Sequence, residues 1–72
     1  MKKAFRMEEL ECANCAAKME AAIGKLEGVE SASINFMAGK LTVSAEDHRF
    51  GDIMAQAQAI VSKIEPDCRI VM

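Results

Sequence analysis

An α+β fold, a four-stranded antiparallel sheet with two helices on one face, is predicted by three features of the sequence. Apolar residues alternate at period two in short segments, as half-buried strands require. Two longer segments repeat them every three or four residues, as helices do. The two kinds follow one another as β-α-β-β-α-β through 72 residues, which leaves nothing over for a linker or a second domain. Residues 1–72 are therefore expected to form one domain.

The first strand is expected between Lys3 and Leu10, where Phe5 and Met7 alternate. Ala16, Met19, Ile23 and Leu26 then fall on one face of a helix, with Lys18, Glu20, Lys25 and Glu27 on its wet side. Gly28 is the expected helix stop. In "VESASINF", Ala32, Ile34 and Phe36 share one face while Ser31, Ser33 and Asn35 share the other. "MAGK" reads as a glycine-bearing hairpin turn into "KLTVSA", whose Leu41 and Val43 point inward. "DHRFGD" is a polar break. Ile53, Ala57, Ile60, Val61 and Ile64 mark a second amphipathic helix, which Pro66 ends. "CRIVM" closes the chain as a fourth strand, with Cys68 and Ile70 on one face.

This order is the ferredoxin-like arrangement, and it sorts the loops by end. Cys12 and Cys15, the "MAGK" hairpin and the segment from Glu65 to Cys68 share one end of the sheet. His48 lies at the other.

Composition narrows the function classes. With 51% hydrophobic and 28% charged residues the chain is folded rather than disordered. A domain this small holds a modest core and roughly 3–5 kcal/mol of net stability. A formal charge of −2, with only Lys2, Lys3 and Arg6 gathered, gives no nucleic-acid partner. Three cysteines, an odd number, point to free thiols in a reducing compartment rather than a disulfide framework. No apolar run approaches the ~18 residues of a membrane span, and no signal peptide is present. The chain reads as cytoplasmic, without membrane contact of its own, although a longer parent protein could carry an anchor.

The pair Cys12 and Cys15, spaced C-x-x-C, carries the chemistry. Cys12 falls in the loop after the first strand and Cys15 in the first turn of the first helix. Unpaired backbone N–H groups and the local dipole there favour thiolate. Thiolate both ligates soft or borderline metals and attacks disulfides. A closed structural zinc site needs four ligands; only Cys68 remains, with His48 at the wrong end, so that reading fails. A thioredoxin-like dithiol generally sits in a longer chain with another element order. A two-thiolate clamp, completed by a nearby group or a partner, fits. No base, nucleophile partner or phosphate-cradling loop accompanies the cysteines, so no enzyme is expected.

The stretch "LECANCAAKMEAAIGKLEGVESASINFMAGKLTV" resembles the heavy-metal-associated domain. That family's signature is Gly-Met-Thr-Cys-x-x-Cys, a helix, Gly-Val and a Val-Asn strand. The resemblance implies one metal ion held by Cys12 and Cys15 and passed to or from a partner. Two departures stand out. Glu9 and Leu10 replace the family's glycine and methionine, Leu10 keeping the packing role. Glu11 replaces threonine, which resembles the amino-terminal domains of zinc-, cadmium- and lead-exporting P-type ATPases, as does "KIEPD" before the last strand.

The resemblance to that subgroup implies one Zn(II), Cd(II) or Pb(II) per domain, with Glu11 adding a carboxylate oxygen to Cys12 and Cys15. The partners would be other ATPase domains or a metallochaperone, and the domain itself a monomer or a metal-bridged dimer. A free-standing metallochaperone, for Cu(I), is the first alternative; a small thiol–disulfide oxidoreductase is the second. Glu65 and Asp67 could lend an oxygen but read as solvated loop charges. Cys68 reads as a small buried hydrophobe and His48 as exposed. Met7, Met19, Met37, Met54 and Met72 are scattered and read as core filling.

Overall fold

The computed structural model describes residues 1–71. It contains β1 (Lys2–Glu8), α1 (Ala13–Gly24), β2 (Val29–Asn35), β3 (Lys40–Ala45), a single 3-10 turn (Asp47–Arg49), α2 (Phe50–Ile64) and β4 (Arg69–Val71). The sheet order is β2-β3-β1-β4 with every neighbouring pair antiparallel. This is the ferredoxin-like arrangement the periodicity predicts; Met72 lies outside the described residues.

One core joins both helices to the inner face of the sheet. Met19 and Ile23 of α1 meet Ile53, Ala57 and Val61 of α2 over Leu41 and Val43 of β3. Removing each large apolar side chain from water stabilises the fold by about 1.5–3 kcal/mol. Met7 and Ile70, paired across β1 and β4, extend that core toward the end that carries the cysteines. Of the methionines read as filling, Met7, Met19 and Met54 are buried, whereas Met37 stands exposed at the hairpin.

Three boundaries differ from the sequence reading. α1 ends at Gly24 rather than Gly28: the Lys25 N–H bonds back to Ala22 and Ile23 and Leu26 bonds to Ile23 at 3.1 Å, tightening the last turn. Gly28 instead turns the chain into β2 with φ 92. A Cβ there would lie 2.8 Å from Arg49 Cδ. Gly28→Ala should therefore cost about 1–3 kcal/mol, seen as a lower urea midpoint at unchanged slope, with metal stoichiometry preserved. α2 begins at Phe50, inside the segment read as a polar break, because that buried ring packs on the core beneath Lys3 Nζ. A register shift between Val29 and Ser31 brings Val29 onto the inner face beside Ala32 and Ile34, and Phe36 falls beyond the strand.

The two edge strands are fastened by side chains from the helices. The outward N–H of Ile34 in β2 donates to Glu20 Oε2 of α1 at 2.7 Å. That of Ile70 in β4 donates to Gln58 Oε1 of α2 at 2.9 Å. At the cysteine end, the Met7 N–H donates to the Gly39 carbonyl at 2.8 Å, tying the β2–β3 hairpin to β1.

Candidate metal centre

β1 stops at Glu8, and Glu9 turns the chain in the left-handed region with φ 58, a conformation that costs a side-chain-bearing residue about 1–2 kcal/mol. Leu10 packs half-buried against the core and holds the loop down. Cys12 is the N-cap of α1: its backbone is extended, and its sulfur accepts a hydrogen bond from the Cys15 N–H at 3.2 Å. A thiol thus fills the place that Ser or Asp usually takes at a helix start.

That geometry splits the two thiols. Hydrogen bonding from the Cys15 side chain and then from the Cys15 N–H lowers the pKa of Cys12 below its ordinary value. The same side-chain contact, with desolvation, pushes Cys15 up to about 11. Of the two thiols Cys12 is therefore the first to ionise, at the positive end of the helix.

A third donor comes from the far end of the chain. Glu65 follows α2 with extended backbone, φ −141 and ψ 95, as the residue before a proline prefers. The Cys68 N–H donates to the Glu65 carbonyl at 3.0 Å and closes the turn around Pro66. One carboxylate oxygen of Glu65 and the two sulfurs lie within 4.8 Å of one another. Glu65 Oε2 is buried with no hydrogen-bond partner among the described residues. A buried carboxylate oxygen left without a donor is costly; a cation held between the carboxylate and the sulfurs would reduce that cost.

The other sequence candidates lie as follows. Glu11 is exposed and is not one of the three converging groups. Asp67 is exposed on the same turn as Glu65. Cys68 is buried, and burial first, then the Glu65 charge, pushes its thiol up to about 11; it too stands outside the three. His48 is exposed at the opposite end, 3.3 Å from Glu46. From the sequence Glu65 could lend an oxygen but reads as a solvated loop charge. The signal that could have raised it was Pro66, which fixes the turn at the cysteine end.

Comparison with known proteins agrees with this geometry. A family model described as heavy-metal-associated domain matches residues 4–67. A probable cadmium-transporting ATPase of Listeria monocytogenes is 47% identical over 45 residues, which are 62% of this chain and 6% of that protein. A cadmium, zinc and cobalt-transporting ATPase of Bacillus subtilis is 30% identical over 66 residues, 92% of this chain and 9% of that protein. The chain thus spans less than a tenth of those relatives. Among solved structures, a CopZ metallochaperone superposes with a TM-score of 0.75 at 21% identity, covering 99% of this chain and all of that one. At that identity the likeness concerns the fold. Among the described residues, no helix is long and apolar enough to cross a membrane.

Proposed function

The chain belongs to the heavy-metal-associated domain family, small domains that bind metal rather than catalyse, and from that premise we propose that it carries one Zn(II), Cd(II) or Pb(II) ion on Cys12, Cys15 and a neighbouring carboxylate. The ion is cargo, received from or delivered to a partner. The observation that carries this reading is the convergence on two thiols of the Glu65 carboxylate, whose Oε2 is buried and unpartnered among the described residues. Cu(I) is satisfied by two thiolates, whereas Zn(II) seeks more ligands and takes carboxylate oxygen readily. Glu65 is the better-built donor; Glu11, exposed beside Cys12, is the other candidate.

The likeness to cadmium-transporting ATPases supports a place as the cytoplasmic amino-terminal domain of a metal-exporting P-type ATPase. Its partners would then be the transporter's other domains or a metallochaperone, and the apo domain a monomer. Competitive titration of Cd(II), Zn(II) and Cu(I) against the wild type, Glu65→Gln and Glu11→Gln tests the ligand set. Glu65→Gln should weaken Cd(II) and Zn(II) about tenfold or more, about 1.4 kcal/mol, and leave Cu(I) nearly unchanged. Glu11→Gln should cost less, within the roughly 0.3–1 kcal/mol that a charge near a helix start contributes. Equal losses for all three ions in both variants would sink the divalent reading. A larger divalent loss at Glu11 than at Glu65 would move the oxygen donor to Glu11.

A further inference from the structure

The face of the sheet opposite the helices carries a net positive charge. Register places Asn35, Lys40, Arg6 and Val71 in one row across all four strands. Glu8 pairs with Arg69, and Lys2 with Ser44, on the same side. Four cations, Lys2, Arg6, Lys40 and Arg69, therefore meet two carboxylates on this face, Glu8 and, at the register shift beside Ser31, Glu30. Glu8 Oε1 is held 2.6 Å from Arg69 Nη2. In a chain of net −2 this face carries +2, which leaves −4 for everything else. The chain is strongly polarised, although its basic residues look dispersed along the sequence.

The chemistry of the face selects its partner. No aromatic residue occupies a strand position on it, so single-stranded nucleic acid finds no stacking platform. Its centre is Ala4, Thr42, Ser33 and Ser44, with one exposed apolar residue, Val71, on the edge strand. A protein partner would find no buried aromatic or aliphatic anchor there. What remains is a flat field of long cationic side chains about 13 Å apart along a strand over small polar residues. That matches a planar anionic surface.

We propose that the open sheet face rests on an anionic lipid surface by electrostatic attraction alone. From the absence of a spanning apolar run the sequence implies no membrane contact; Lys40 and Arg69 join Lys2 and Arg6 only through strand pairing. The negative remainder of the molecule, repelled by the same surface, orients the helices away from it. Cys12, Cys15 and Glu65, at one end of the sheet, then open sideways along the bilayer and stay accessible.

Flotation of the full chain with vesicles tests this. Binding is expected to phosphatidylcholine vesicles containing about 30% phosphatidylserine at about 0.05 M salt. It should be absent with phosphatidylcholine alone and lost at about 0.5 M salt, where charges are screened. Arg6→Gln with Lys40→Gln should weaken binding about 25-fold, at about fivefold per charge. Lys25→Gln with Lys63→Gln, the same charge change on the helix side, should weaken it no more than about twofold. Circular dichroism and Cd(II) titration on the same variants report fold and metal site separately. Equal binding to neutral vesicles, or equal losses in the two pairs, would overturn the proposal. So would a glutamate-rich peptide or a single-stranded RNA that holds the face more tightly than the vesicles do at the same salt.

Discussion

Replacing Cys12 and Cys15 together by serine is expected to abolish stoichiometric metal binding while leaving the fold in place. A serine hydroxyl does not ionise near neutral pH and offers soft and borderline ions a poor ligand, so two of the three converging donors disappear. The fold survives because serine at position 12 is itself a preferred N-cap and accepts the same hydrogen bond from the backbone N–H of residue 15. The metal-to-protein ratio after gel filtration, read beside a far-ultraviolet dichroism spectrum, checks both halves. One bound ion per chain in the double variant would remove the site from the helix start altogether. The wild type should also show a pH signature. Cys15 keeps its proton up to about 11, so metal binding at neutral pH expels it. Protons compete with metal, and apparent affinity rises about tenfold per pH unit for that one proton.

Ile23→Ala should come close to unfolding the apo domain. Ile23 is fully enclosed, 0% exposed, between the sheet and α2, and truncating such a residue costs about 2–5 kcal/mol in lost burial and cavity formation. The whole domain holds only roughly 3–5 kcal/mol. Ile23→Val, about 0.5–1.5 kcal/mol, should remain folded and give a graded reference. Cd(II) should refold Ile23→Ala, because a ligand that binds only the native state at a thousand times its Kd contributes about 4 kcal/mol. Urea and thermal unfolding with and without metal measure this directly. A variant within about 0.5 kcal/mol of wild type would contradict the packing of α1.

How much was legible in the sequence depended on how local each feature is. Met19, Ile23, Leu41 and Val43 were readable because their faces are written in spacing alone. Phe50 was not: His, Arg, Gly and Asp around it look like a loop, and only tertiary burial of the ring makes it the start of α2. Gly28 looked like a helix stop because glycine serves both helix ends and turns, and the close approach of Arg49 that requires it comes from another element. The cysteines were readable from their own spacing. Glu65 lies fifty residues from Cys15, and its carboxylate arrives through the length of α2 and the turn at Pro66, neither of which leaves a mark near the motif. Glu11 drew notice by adjacency to Cys12. Cys12 has extended backbone, and neighbouring side chains along extended backbone diverge.

The helix-to-edge hydrogen bonds have a bearing on how such units live in company. An open edge strand invites a neighbour to add its own strand, which is the first step of swapping and of amyloid-like stacking. Here the amides of Ile34 and Ile70 are already occupied by Glu20 and Gln58. The repetition of the device in the two β-α-β halves of the chain guards both flanks alike. An intruding strand would have to displace a side chain anchored on a helix of the same molecule, so the ladder stops at four rungs. Copies strung in tandem on one polypeptide, or crowded together on a surface, would therefore stay separate beads rather than fuse into a common sheet.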